Sequence, residues 1–113
     1  KNQETSVIAT LSAKVGSISD NYLGGWYSYR VSKAALNQLV KTASIEFKRK
    51  NGKLIIVSIH PGTVSTNLSK PFLGSKIAQT TDEAALKIIY VLNNLTPKET
   101  GFLIDYNKNI IPY

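Results

Sequence analysis

Two short, almost continuously apolar runs constrain this 113-residue chain more than any other feature: Val7-Ile8-Ala9-Thr10-Leu11 and Leu54-Ile55-Ile56-Val57-Ser58-Ile59. Neither alternates strictly with polar residues, as a strand with one wet face would. Each therefore predicts a strand covered on both faces, the habit of a parallel sheet. Parallel neighbours need a crossover, usually a helix, and the segment from about residue 28 to residue 50 supplies one. Counting 100° per residue from Tyr29 puts Lys33, Leu36, Val40, Ala43 and Phe47 within about 40° of one meridian, a stripe suited to packing on the sheet. Asn51-Gly52 suits the left-handed geometry that ends a helix. A second helix is predicted over residues 82–95. Thr80 and Glu83 have capping-box spacing, Ala85, Ile88, Ile89 and Leu92 recur at i, i+3, i+4 and i+7, and Thr96-Pro97 stops the helix. Gly101 then introduces a third apolar strand, Phe102-Leu103-Ile104, followed by a polar tail. The order β-α-β-α-β, with right-handed crossovers, gives an α/β fold of three parallel strands with helices on the faces.

Composition removes several functional classes. With 42% hydrophobic and 19% charged residues the chain is globular. No apolar run approaches the roughly 18 residues that would suggest a membrane span. The absence of cysteine excludes disulfides and thiolate metal sites, and it fits a reducing cytoplasm. One histidine and scattered carboxylates offer no metal-ligand cluster. The net charge of +7, from 14 Lys+Arg against 7 Asp+Glu, raises the question of nucleic acid. The lysines are dispersed, however. The densest cluster, Lys48-Arg49-Lys50, falls at a helix C-terminus, where it complements the dipole by about 0.3–1 kcal/mol per charge. No nucleic-acid partner is expected.

The chemistry concentrates in Tyr29-Arg30-Val31-Ser32-Lys33. Residues four apart on a helix share one face, so a phenol and an ammonium are brought together. A free phenol, with a pKa of about 10, is a poor proton donor or acceptor at neutral pH, and an adjacent cation favours its ionised form.

The wider segment Gly24-Gly25-Trp26-Tyr27-Ser28-Tyr29-Arg30-Val31-Ser32-Lys33-Ala34-Ala35-Leu36-Asn37 resembles the catalytic helix start of the short-chain dehydrogenase/reductase family. Upstream, the first apolar run ends in Ser12. Downstream, His60-Pro61-Gly62-Thr63-Val64-Ser65-Thr66 resembles the family's Pro-Gly loop beside the nicotinamide. These features follow the family's order over essentially the whole chain, and the wording is similar to the branch of sniffer-type carbonyl reductases and C-factor-like proteins. The resemblance implies the C-terminal half of a doubly wound, Rossmann-like parallel sheet. Family members are about twice this long, and their first half carries a glycine-rich dinucleotide loop that this sequence lacks. The expectation is therefore a C-terminal portion, residues 1–113, of a single domain, inactive by itself.

The resemblance also implies roles. Tyr29 would be the general acid/base for a hydride transfer between a nicotinamide and a carbonyl or alcohol carbon. Lys33 would support it and hydrogen-bond the nicotinamide ribose. A serine normally helps hold the substrate oxygen, and Ser12 is expected to do so. The pattern departs here, because counting back three residues from Gly16, where that serine commonly stands, gives Ala13; Ser17 stays open as an alternative. Pro61, Gly62, the Val64 backbone and the Thr66 hydroxyl match positions that usually meet the cofactor. NADP and NAD are both open, because the residue that reads the ribose is not in the sequence. His60 is expected to be structural, and Trp26 and Tyr27 either to shape the substrate pocket or to cover the helix start. The outer helix face, Val31, Ala35, Gln38, Thr42 and Ile45, suggests a homo-oligomer, most simply a dimer. The alternative reading is a non-catalytic binding or signalling protein on the same fold.

Overall fold

In the computed structural model, which describes residues 5–50, 52–62 and 80–113, the two apolar runs form neighbouring parallel strands. β1 (Ser6–Leu11) pairs with β2 (Leu54–His60), from Ser6 opposite Leu54 to Leu11 opposite Ile59. β3 (Leu103–Asp105) lies parallel on the other side of β2, with Ser58 opposite Leu103 and His60 opposite Asp105. A fourth strand, β4 (Ile110–Ile111), returns antiparallel to β3, giving the order β1-β2-β3-β4. The sheet is thus mixed but mainly parallel, and β4 falls where the sequence predicts only a polar tail. Its cause is local turn chemistry. The Asp105 carboxylate accepts the backbone N–H groups of Asn107 and Asn109 at 2.9 and 2.8 Å, and Lys108 takes a left-handed φ of 67°.

Helix α1 (Tyr27–Lys50) crosses over between β1 and β2, and α2 (Thr81–Asn93) between β2 and β3. The capping box of α2 is formed: Thr80 Oγ1 accepts the Glu83 N–H at 3.1 Å, and Glu83 Oε1 accepts the Thr80 N–H at 3.1 Å. The helix stops short of Leu95, where Asn94 turns its side-chain amide onto the Tyr90 carbonyl at 2.7 Å. Ile55, Val57 and Ile59 share one face of β2 by the pleat. They form the core with Val91 and Ile104, and Ile88, Leu92, Leu95 and Phe102 pack against it. Each such side chain contributes about 1.5–3 kcal/mol on full burial.

Three expectations about faces are corrected. Strand β1 is not covered on both faces: Val7, Ile8 and Leu11 are 38%, 49% and 60% exposed, because among the described residues α1 packs on β2 rather than on β1. On α1, Val40 is buried as expected and Lys33, Leu36 and Ala43 are half-buried. Phe47 is exposed, however, and Asn37 and Ser44 are buried instead. On α2, the inward face is Ala84, Ile88, Val91 and Leu92, leaving Ala85 and Ile89 exposed. That helix is apolar almost all round, so Ala84-Ile88-Val91-Leu95 satisfies helical spacing as well as the stripe one residue later.

Candidate active site

Parallel strands present their carboxyl ends at one edge of a sheet, where ligands of open α/β folds gather. Here β1 runs out into Ser12 and β2 into Pro61-Gly62, and α1 brings Tyr29 and Lys33 to the same edge. Lys33 Nζ donates to the carbonyl of Leu11, the last residue of β1, at 3.1 Å. The same ammonium lies over the Tyr29 ring, 5.6 Å from its centroid. The pair read from four-residue spacing is therefore assembled on one face and anchored to the strand end. Tyr29 is 45% exposed, and its ring meets Trp26 edge-on at 6.1 Å.

The turn before α1 is built for this approach. Gly24, Gly25 and Trp26 all have left-handed φ values, 70°, 74° and 54°. The glycines adopt such angles freely, whereas Trp26 does so under strain. Arg30 holds the turn in place: Nε donates to the Gly25 carbonyl at 2.9 Å, Nη2 to Gly24 at 3.1 Å and Nη1 to Val15 at 3.4 Å. Sequence reading gave Arg30 no part, although an arginine just after a Gly-Gly turn is the available signal.

Ser12 is 4% exposed. Its N–H extends the ladder to the Ile59 carbonyl at 2.8 Å, and its hydroxyl donates to Asn37 Oδ1 at 2.8 Å. Asn37 stands one turn beyond Lys33, is buried, and leaves its Nδ2 without a partner. Gly16 packs against this turn, since a Cβ there would lie 2.9 Å from both Asn37 Nδ2 and Lys33 Cβ. Ser17, the alternative serine, is fully enclosed. Its hydroxyl donates to the Pro112 carbonyl and accepts the Asp20 N–H at 3.1 Å. Of the two serines, only Ser12 is bonded to the helix that carries Tyr29 and Lys33. Asn37 is the second residue missed in the sequence, because its partner lies 25 residues away.

His60 braces the ends of the strands. Its Nδ1 accepts the Lys14 N–H at 3.0 Å, and its ring tilts against Tyr106 with centroids 6.2 Å apart. Burial pulls its pKa below the usual histidine value; the Asp105 carboxylate opposes this and Lys14 adds to it. Gly62 takes a left-handed φ of 81°, a conformation few other residues hold. Val64 and Thr66 lie outside the described residues.

No family model matches the chain. Among known proteins, it is 38% identical over 98 residues to 1-hydroxy-2-glutathionyl-2-methyl-3-butene dehydrogenase of Rhodococcus sp. (strain AD45), covering 87% of this chain and 42% of that one. Among solved structures, it superposes on the carbonyl reductase Sniffer of D. melanogaster with a TM-score of 0.83 at 30% identity, covering 95% of this chain and 41% of that one. An NADPH-bound carbonyl reductase from chicken fatty liver gives 0.82 at 30% identity, covering 98% and 45%. The chain is similar in sequence and fold to proteins of the short-chain dehydrogenase/reductase family. It spans less than half the length of these relatives. Around the serine, Ala13 and Ser12 are both buried, and the hydroxyl of Ser12 is turned into the helix.

Proposed function

We propose that the protein is an NAD(P)-dependent oxidoreductase acting on a carbonyl or alcohol substrate, with Tyr29 as its general acid/base. One observation carries this reading: the Lys33 ammonium lies over the Tyr29 ring while tied to the end of β1, beside Ser12. A Rossmann-like α/β sheet and the likeness to an NADPH-bound carbonyl reductase support it. The residues present suit a dinucleotide. An ammonium stands at the ligand edge of the sheet, and Gly62, with no side chain and a left-handed backbone, allows close approach.

The nicotinamide, when bound, supplies the hydride in reduction and accepts it in oxidation. The Tyr29 phenol gives its proton to the carbonyl oxygen as the alcohol forms and takes it back in reverse. Lys33 offsets the charge left on that oxygen and can hydrogen-bond ribose hydroxyls as a flexible point charge. Ser12 helps hold the substrate oxygen, which requires its hydroxyl to exchange the bond to Asn37 for one to substrate. Pro61, Gly62, Val64 and Thr66 would hold the cofactor, and both NADP and NAD fit this reading. We read residues 1–113 as the C-terminal portion of one domain whose dinucleotide-binding half lies elsewhere, so the chain alone should not turn over. A cytoplasmic homo-oligomer completes the reading.

The test is NADPH- and NADH-dependent reduction of aldehydes and ketones by the complete protein. Tyr29→Phe should lower kcat by roughly 10²–10⁴-fold, the usual worth of general acid–base catalysis. Wild-type rates in that variant would overturn the mechanism. The enclosed Ser12 favours one alternative, a binding or signalling protein, which saturable NADPH binding without turnover would support.

A further inference from the structure

We propose that Tyr113 and Ser17 are positioning residues, a clasp that holds residues 12–19, and with them Ser12, against the helix carrying Tyr29 and Lys33. The proposal rests on the oxidoreductase reading for the role of Ser12, and on the following contacts for the clasp itself. The backbone carbonyl oxygen of Tyr113 accepts the N–H groups of Ile18 and of Ser19, the latter at 3.0 Å. One residue earlier, the Pro112 carbonyl accepts the Ser17 hydroxyl. That hydroxyl also accepts the Asp20 N–H at 3.1 Å, so both its donor and an acceptor site are used.

At its other end, the Tyr113 hydroxyl donates to the Gly101 carbonyl. Gly101 is a fixed point. Its N–H donates to the Ile56 carbonyl at 2.6 Å, its φ is 87°, and a Cβ there would collide with Ser44 of α1. Tyr113 therefore spans from the start of β3 to residues 17–19. Burial pushes the Tyr113 phenol up to about 12.

A cavity of about 150 Å³ opens among Gly16, Ile18, Ala34, Lys41 and Tyr113, so the tail and the segment meet α1 incompletely. Beside the clasp, the segment is held by the His60–Lys14 bond, the Arg30–Val15 bond, the Ser12 N–H to the Ile59 carbonyl, the contact of Gly16 with the Lys33–Asn37 turn, and the Ser12–Asn37 bond itself. Loosening residues 17–19 pulls on Gly16 and Ser12 through four residues of chain. This also explains why Ser17 is buried with its hydroxyl engaged: its work is on the tail, which leaves Ser12 as the serine of the site.

The experiment compares Ser17→Ala, Tyr113→Ala, Tyr113→Phe and Ser17→Thr in the complete protein. Amide hydrogen exchange at Ile18 and Ser19 is measured beside steady-state reduction of benzaldehyde and cyclohexanone with NADPH. Ser17→Ala and Tyr113→Phe should each speed exchange there by about three- to tenfold, the size of one lost hydrogen bond. They should lower kcat similarly and leave the KM for NADPH in place, while Ser17→Thr, which keeps the hydroxyl, restores both. Unchanged exchange would overturn the clasp, and faster exchange with unchanged kcat would overturn its bearing on the site. Should Tyr113→Ala fail to fold, Tyr113→Phe and Ser17→Thr decide the matter. A wild type that binds NADPH without turnover would sink the oxidoreductase reading instead, and exchange alone would then decide the clasp.

Discussion

Single residues at the ligand edge act through bonds that join distant parts of the chain, and His60 is the clearest case. Its Nδ1 accepts the Lys14 N–H, which requires the ring to be neutral with its proton on Nε2. Burial lowers its pKa in the folded protein, against the raising influence of Asp105. A group depressed on folding contributes stability that is present above its unfolded value of about 6.5 and lost as pH falls through the folded value. Acidification below about 6.5 should therefore weaken the fold and release the Lys14 turn first. Unfolding by denaturant at a series of pH values checks this. His60→Gln should flatten the decline, and an equal decline in that variant would show that other groups cause it. Lys33 and Tyr29 differ in kind, since their partnership is local. A four-residue spacing on a helix was enough to read it, whereas the Ser12–Asn37 bond spans 25 residues and leaves no periodic trace.

Elements were legible where their signals are local. Both apolar runs became parallel strands, and Thr80 with Glu83 formed the capping box that their spacing announces. Replacing Thr80 with Ala removes an acceptor for the Glu83 N–H at the first turn of α2 and should cost about 1 kcal/mol. The denaturation midpoint would fall with the slope unchanged, and an unmoved midpoint would mean that the cap contributes nothing. Helix faces were harder, for a physical reason. Periodicity finds a stripe only if the other faces are polar, and α2 carries Leu86, Ile89 and Tyr90 on its exposed side. On α1, besides the exposed Phe47, the misread positions are the polar Asn37 and Ser44, buried where Ser12 and Gly101 come close to them. Strand β4 escaped because two residues carry no period, and its hairpin depends on how Asp105 collects the N–H groups of the turn.

At the scale of the whole molecule, two surfaces are apolar without a described cover. Val7, Ile8 and Leu11 of β1 are substantially exposed at the sheet edge, where one row of backbone N–H and C=O groups has no strand beside it among the described residues. Such an edge is a template for pairing with another chain. Along α1, Val31 and Ile45 are 67% and 43% exposed, and Leu39 is 62% exposed. They lie largely opposite the face that meets the sheet, so burying them would not disturb the site edge. A two-fold contact between copies of α1 would cover this face with matched apolar patches, because an isologous interface sets the same surface against itself. The 113-residue chain should accordingly associate at micromolar concentration, and the complete protein should form a dimer through α1. Solution scattering tests both. Val31→Arg with Ile45→Arg should shift the complete protein towards monomer while its unfolding midpoint stays close to wild type. A monodisperse wild-type monomer, or a dimer indifferent to both arginines, would mean that this face is covered by something other than a second copy.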